Sequence, residues 1–520
     1  MKNWWRSKFS FTGNASTSAS SQEWVALAGA VASRDFKVLP GCMRAWCVME
    51  ERDLDRLLKV AEQAHYTPAE VSKLRVFFYH FCNDGVTAFD QARKSMVAHG
   101  FDPDLHIIGL VCLFQNNQFD DALVYLQELS DEQTSGIQRA DYWHMVSLIF
   151  WANNVMGRLA LAINRAVELA PDDEVVLQLA LAIHIELGNQ AKIDQIRAIL
   201  ETMPKAKEYT YALCMLTLGE LETGWQYMET RYEMAEVSRY INVSLNAHPR
   251  WKGEELTGLR LLVSAEQGLG DTIQMARYLS LLQSQVTKEL LLEIQSEALT
   301  LLQFNFPNIP MVERQWLKDP KVKFDRWIGM MSLPYHLKLW GKDTPGRSGY
   351  LRVPPDVAAY WQSRVEQLNS SELPKIGLAW SGQPAHRADR RRSIPFDLMM
   401  SQVRSVNATF FALQTKVPDL MPANVINVTE EMITLADTAA LIEQMDLVIT
   451  VDTSIVHIAG ALAKETWLLL PKRYEWRWGL EGEGNDWYDS VKVLRQTEHA
   501  NWLPVLQDVF KRRLPTKFDM

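Results

Sequence analysis

The sequence predicts an α-helical domain followed by two doubly wound α/β domains. Three observations carry this reading. Residues 23–245 follow a helical rhythm with few strand-like runs; from about residue 246 short apolar runs alternate with helical segments; and several of the loops that follow those runs carry glycine, arginine or Asp-Thr-Ser clusters. Strands alternating with helices imply parallel sheets covered by helices, with ligands at the carboxyl ends of the strands.

The bulk properties narrow the function. With 520 residues the chain has room for about two to four domains with real cores. A net charge of -9 argues against a general nucleic-acid binder. No segment approaches the roughly 20 apolar residues needed to span a bilayer, so only peripheral membrane contact stays open. Residues 1–22 lack the continuous apolar centre of a signal peptide and read as a flexible tail, which leaves a cytoplasmic location as the expectation. The five cysteines, Cys42, Cys47, Cys82, Cys112 and Cys214, all lie in the first half without CxxC spacing, so neither a disulfide framework nor a zinc site is expected.

In the helical domain, 23–245, one unit stands out. Trp143, Phe150, Ile163, Ala166 and Pro171 fall where a helix-turn-helix repeat of about 34 residues places its packing positions. A weaker unit follows with Leu177, Gly188 and Pro204, and an earlier one runs through Asn117 to Ala122. This half resembles the tetratricopeptide-repeat family; a generic helical bundle is the alternative. A stack of such repeats offers a face for a partner.

After the turn-rich bridge His248–Gly253, strands are expected at Leu259–Ala265 and Glu289–Ile294, with helices at Thr272–Gln285 and Ser296–Phe304. A second series begins at Lys375. Its strands are Ile376–Trp380, Thr409–Leu413, Leu447–Val451 and Thr466–Leu470, and its helices Pro395–Arg404 and Leu435–Gln444. Asp343–Pro374 separates the two, giving lobes 246–370 and 371–520.

The chemistry-bearing residues sit where strands hand over to helices. Gly268 and Gly270 allow a tight turn, but Ile273 stands where GxGxxG needs glycine, so this is not a dinucleotide loop. Asp271 is either a base that takes a proton from an attacking hydroxyl or a carboxylate that favours the helix start. Trp380, Ser381 and Gly382 end another strand, and the basic run His386–Arg392 follows, with forks suited to phosphate or a solvated loop as its alternatives. Gln414 and Lys416 end the next strand, in reach of a base or ribose. Asp437 opens a helix, where capping is its commoner role. Asp452, Thr453 and Ser454 begin a helix with His457 one turn in; free N–H groups and the helix dipole attract phosphate there. Trp476, Trp478, Trp487 and Tyr488 suit packing better than stacking on a ligand.

Together, the Ala265–Gln274 loop, Gly377–Gly382, Arg390–Ser393 and Asp452–Leu462, with Trp476–Trp478 and Leu494–Gln496, resemble bacterial tetratricopeptide-repeat glycosyltransferases of the GT-B arrangement. The match runs in order over roughly Arg250–Leu514. The catalytic part is also similar to the ADP-heptose:lipopolysaccharide heptosyltransferases, and the layout to the protein O-GlcNAc transferases. The resemblance implies Asp271 as catalytic base, and Asp452, Thr453, Ser454 and His457 at the donor diphosphate. Serine stands at 454 where that family has glycine. It also implies Arg392, or else Arg391, as the cation for the leaving group. By their place at strand ends, Trp380, Ser381 and Gln414 are expected on the donor side. The implied chemistry is inverting transfer from a nucleotide diphosphate sugar, with no cofactor and no metal. The acceptor expected first is a protein docked on the helical domain. A lipopolysaccharide or capsule precursor, and a non-catalytic adaptor with a decayed transferase domain, are the alternatives. The donor base, the sugar and the oligomeric state stay open.

Overall fold

The computed structural model describes residues 27–31, 51–82, 84–203, 209–233, 245, 248–286, 288–314, 322–369, 372–383, 389–472 and 475–519. The expected tail 1–22, Cys42, Cys47, Pro204, the residues flanking 245/246 and His386–Ala388 of the basic run lie outside them. Contacts divide the chain into two compact units, Met1–Ala206 and Lys207–Met520.

The first unit is helical throughout its described length. Its main helices are α1 (Glu51–Gln63), α2 (Pro68–Phe81), α3 (Gly85–His99), α4 (Pro103–Gln115), α5 (Phe119–Gln127), α6 (Ala140–Ala152), α7 (Met156–Leu169), α8 (Glu174–Leu187) and α9 (Gln190–Glu201). Local sequence sets their ends. Asp102 and Asp173 cap α4 and α8 by accepting from backbone N–H groups of the first turn, and Gly188 ends α8 in the left-handed region at φ 66°. The α6–α7 hairpin is the unit legible in the sequence: Phe150, Ile163 and Ala166 are buried in it. Trp143 is half-buried, its indole N–H bonded to the Ile137 carbonyl at 2.9 Å. Cys112 in this unit and Cys214 in the next are buried thiols pushed up to about 12 by desolvation, hence unreactive near neutrality.

The second unit begins with the helical pair α10 (Tyr209–Thr217) and α11 (Leu221–Met228) and continues into two parallel sheets. In the first, β1 (Arg260–Ser264), β2 (Glu289–Ile294), β3 (Met311–Glu313) and β4 (Arg326–Gly329) lie in the order β3-β2-β1-β4. In the second, β5 (Lys375–Ala379), β6 (Thr409–Ala412), β7 (Val425–Asn427), β8 (Leu447–Val451), β9 (Thr466–Leu470) and β10 (Val491–Arg495) lie in the order β10-β9-β8-β5-β6-β7. Every pairing is parallel, and β1, β5, β8 and β9 are almost wholly buried, as strands covered on both faces must be. The chain reverses direction across each sheet between β1 and β4 and between β5 and β8. These switch points open crevices at the carboxyl ends of the strands.

The connecting helices are α12 (Leu269–Ala276) and α13 (Leu279–Gln285) after β1, α14 (Leu299–Asn305) after β2, α15 (Pro355–Leu368) before β5, α16 (Phe396–Val403) after β5, α17 (Leu435–Glu443) before β8 and α18 (Ser454–Ala461) after it. The expected strands 289–294, 447–451 and 466–470 agree to the residue. The single helix expected at Thr272–Gln285 is two, because Arg277 turns its Nε onto the Gln274 carbonyl at 2.8 Å and closes the first. The separator Asp343–Pro374 contains α15, which packs on α17. Trp361 is fully buried there and donates to Asp437 Oδ1 at 3.2 Å, while Arg364 pairs with Glu431 at 2.8 Å. Asp437 also closes a capping box with Thr434, so it serves the helix start as expected.

Candidate active site

At the carboxyl edge of the second sheet, three loops converge. The loop after β5 is shaped by Gln414. Its Oε1 accepts from the backbone N–H groups of Trp380 (2.9 Å) and Ser381 (3.1 Å), and its Nε2 donates to Ser381 Oγ (2.7 Å). Gln414 therefore holds this loop rather than presenting its amide to a base or ribose. The Trp380 ring turns into the core beside Phe396, with centroids 5.8 Å apart, so this residue offers the site only its backbone.

Arg392 ends a short helical turn, Asp389–Arg392, and crosses back over Gly382. Its Nε donates to Asp389 Oδ1 at 3.2 Å and its Nη1 to the Asp452 carbonyl at 2.8 Å. A Cβ on Gly382 would stand 2.4 Å from Arg392 Nη2, so only glycine lets the guanidinium lie there. Arg392 thus bridges the ends of β5 and β8, across the switch point. Arg391 sits half-buried on the same turn.

The loop after β8 leads into α18. Thr453 is its N-cap, with Oγ1 accepting from the Ile455 N–H at 3.4 Å; Asp452 and Ser454 flank it, half-buried. His457 is buried one turn in. Its Nδ1 lies 3.0 Å from the Tyr488 hydroxyl and its ring stacks on Trp478 at 5.6 Å. Burial, then the cations Arg477 and Arg277, hold this imidazole well below its usual range, so it is neutral. A Tyr488 hydroxyl that donates to Nδ1 leaves Nε2 as the N–H, a donor at the cleft.

The first lobe reaches this edge through α12. Gly270 packs against His457 and Ser454: a Cβ there would lie 2.8 Å from His457 Cδ2 and 3.5 Å from Ser454 Cα. We expect Gly270→Val to cost about 1–3 kcal/mol by overpacking. It should lower catalytic turnover more than the unfolding midpoint, because the added methyls wedge the two loops apart; equal turnover to wild type would refute this.

Asp271 follows, half-buried, with Oδ2 accepting from the Gly268 N–H at 2.8 Å and Oδ1 paired with Arg477 Nη2. The carboxylate closes the helix start, and its other oxygen faces Arg477 across the cleft. Arg477 comes from the turn Trp476–Trp478 after β9, a run marked in the sequence without a role for the arginine; Glu475, which binds its Nη1, was not marked. Desolvation disfavours the Arg477 cation, but Glu475, Asp271 and Asp452 outweigh it and hold the group above the ordinary arginine range. Burial pushes Glu475 up to about 7 against the pull of Arg477, with Asp452 and Asp271 adding to the rise. Burial likewise raises Asp452, opposed by Arg477 and Arg392. The cleft thus gathers three carboxylates, two of them paired with Arg477 and the third, Asp452, near both Arg477 and Arg392. A separate cavity of about 490 Å³, lined by Glu465, Trp467, Lys492 and Arg512 among others, lies at the amino ends of β9 and β10, away from this edge.

Behind the Asp271 loop is a buried network that sequence reasoning also missed. Arg231, fully buried, grips Glu266 with two bonds of 2.8 and 2.7 Å and donates to Ser332 Oγ and the Tyr232 hydroxyl, both at 2.8 Å. Glu266 also accepts from the Met331 N–H at 3.3 Å, so the pair joins the ends of β1 and β4. No helix of the described residues is long and apolar enough to cross a membrane.

Residues 413–469 match Glycosyltransferase family 9 (heptosyltransferase). The span runs from the end of β6 into β9 and includes Gln414, Asp452, Thr453, Ser454 and His457. Protein FlbA of Caulobacter vibrioides is 23% identical over 378 residues, covering 66% of this chain and 62% of its own length, so the chain spans less than two thirds of that relative. Among solved structures, the glycosyl transferase family 9 protein of Veillonella parvula is 14% identical over 51% of this chain and 99% of its own, with a TM-score of 0.38. The O-GlcNAc transferase of Thermobaculum terrenum is 12% identical over 97% of this chain and 92% of its own, with a TM-score of 0.25. The chain therefore carries a glycosyltransferase family 9 segment in the second of two Rossmann-like lobes, with a helical region ahead of both along the sequence.

Proposed function

We propose that this chain transfers a sugar from a nucleotide diphosphate sugar to an acceptor hydroxyl. The observation that carries the reading is the meeting of two loops at one edge. The start of α18, with Asp452, Thr453, Ser454 and His457, faces the Gly268–Asp271 turn of the other lobe, and Gly270 lies against His457 and Ser454. A helix N-terminus beside an arginine suits a diphosphate. A carboxylate across the cleft suits deprotonation of an incoming hydroxyl. In this reading the backbone of Thr453–Ile455, His457 Nε2–H and Arg392 stabilise the charge that develops on the departing diphosphate, and Asp271 takes the acceptor proton. Attack from the side of Asp271, opposite the diphosphate, inverts the anomeric carbon. The cations Arg392 and Arg477 do the work a metal does elsewhere, so the transfer is metal-independent. The acceptor is a protein held by the helical region, whose stacked hairpins are of the kind that bind polypeptides, and the reaction is cytoplasmic.

The test is thermal unfolding of the full chain with UDP, GDP, ADP, CMP and their common sugars, with and without EDTA. One nucleotide at 100 times its dissociation constant should stabilise the chain by about 2.7 kcal/mol, and EDTA should leave the shift unchanged. No shift with any nucleotide refutes the donor assignment, and a shift abolished by EDTA refutes metal independence.

A further inference from the structure

Arg477 lies between the two halves of the proposed site and is claimed by both. Its Nη2 pairs with Asp271 and its Nε donates to Gln274 Oε1 at 2.7 Å, both in α12 of the first lobe. Its own turn leaves the end of β9, next to β8, at the same edge as Asp452. The guanidinium lies 4.2 Å over the Trp476 ring. Trp476 is in turn braced edge-on by Trp225 of α11 at 5.4 Å and by Trp487 at 5.9 Å. The plane of the fork is therefore set by packing, while the partners at its tip are carboxylates that another anion can replace. Gln274 is fully buried, and its Nε2 has no partner among the described residues, so a donor is left over at this point.

Resting on the glycosyl-transfer reading, we propose that Arg477 is a second ligand for the donor diphosphate and that it is handed over from Asp271 when the donor binds. A diphosphate seated at the start of α18 competes with the Asp271 carboxylate for one guanidinium. Nε is held by Gln274 and Nη1 by Glu475, so Nη2, which Asp271 holds through a single oxygen, is the position a phosphate oxygen would take. Loss of the ion pair leaves Asp271 with only the Gly268 N–H bond on Oδ2, so Oδ1 becomes free to accept a proton. The consequence is order: the base is unmasked only when a donor is present, and water or a stray hydroxyl at an empty site meets a carboxylate already engaged.

Binding of UDP, GDP and ADP to the full chain, followed by calorimetry, tests this with Asp271→Asn, Arg477→Gln, Arg477→Lys and the double variant Asp271→Asn/Arg477→Gln. Asp271→Asn, which releases the fork, should bind the cognate diphosphate about three- to tenfold more tightly than wild type. Arg477→Gln should bind it about tenfold or more weakly, with Arg477→Lys between, because a lysine keeps the charge and loses the fork. In the double variant the gain from Asp271→Asn should vanish. A gain that survives there is relief of charge repulsion and overturns the handover, as does an Asp271→Asn variant no tighter than wild type. Should Arg477→Gln fail to fold, the Asp271→Asn and Arg477→Lys arms still decide. Wild-type chain that binds none of the three nucleotides defeats the glycosyl-transfer reading itself; wild-type binding without the Asp271→Asn gain defeats only the handover.

Discussion

If Asp271 is the base, Asp271→Asn should lower sugar transfer by about 10²–10⁴-fold, the usual contribution of a positioned general base, while the nucleoside diphosphate should still bind. The substitution is nearly isosteric, and an amide oxygen still accepts the Gly268 N–H, so the loop and the start of α12 keep their shape. What the amide lacks is the ability to take the acceptor proton. The competing role, a carboxylate that only favours the helix start, is worth about 0.3–1 kcal/mol of stability and nothing in turnover. Transfer by the variant at near the wild-type rate, with an unfolding midpoint lowered slightly, assigns Asp271 to that role alone. Product formation in single-turnover mixing separates the two outcomes directly.

Arg231→Met is the substitution with the largest expected effect on stability, about 3–5 kcal/mol, because it leaves a fully buried Glu266 without its counter-ion. Met matches the length of the arginine stem, so the loss reports the charge rather than a cavity. Urea unfolding followed by tryptophan fluorescence measures it. A loss under about 1 kcal/mol, the worth of an exposed ion pair, refutes the buried-network account. The same cluster makes the fold acid-sensitive. Burial alone raises Glu229, but His336, Arg231 and Ser332 outweigh it and bring the carboxyl down from 4.5 to about 2. A depressed acid contributes stability that is present above its unfolded pKa and lost as pH falls through the folded one. Wild type should therefore weaken between about pH 4.5 and 2 more than Arg231→Met does.

Local signals in the sequence carried most of the framework. Val451 to Leu462 reads as strand, cap and helix because a buried apolar run, a Thr-Ser pair and an alanine-rich stretch are each set by near neighbours, and the structure has β8, the Thr453 cap and α18 there. The same holds for the glycine turn into α12. What stayed hidden has non-local causes. Arg477 meets Asp271 across 206 residues and Arg231 meets Ser332 across 101, and no spacing rule reaches that far. Gln414 was legible as an end-of-strand residue, but the direction of its amide depends on the backbone of Trp380 and Ser381, set by another strand. The helix α15 escaped notice because only Trp361 and Val365 of its 14 residues are buried, too few to print a stripe. The strands β3 and β7 have three residues each, below the length at which alternation shows.

The strand order of the second sheet also has a kinetic meaning. β5 is made first, yet one of its two neighbours is β8, whose entry is marked by Asp446 accepting from the Lys375 N–H 71 residues upstream. At the usual pace of synthesis, 5–20 residues per second, that edge of β5 waits roughly 4–14 seconds for its partner on the ribosome. During this interval an apolar strand, buried on both faces in the finished sheet, shows an unpaired backbone to its surroundings. Nascent chains of this protein should therefore need chaperone cover over this edge, and slower translation after residue 379 should lengthen its exposure.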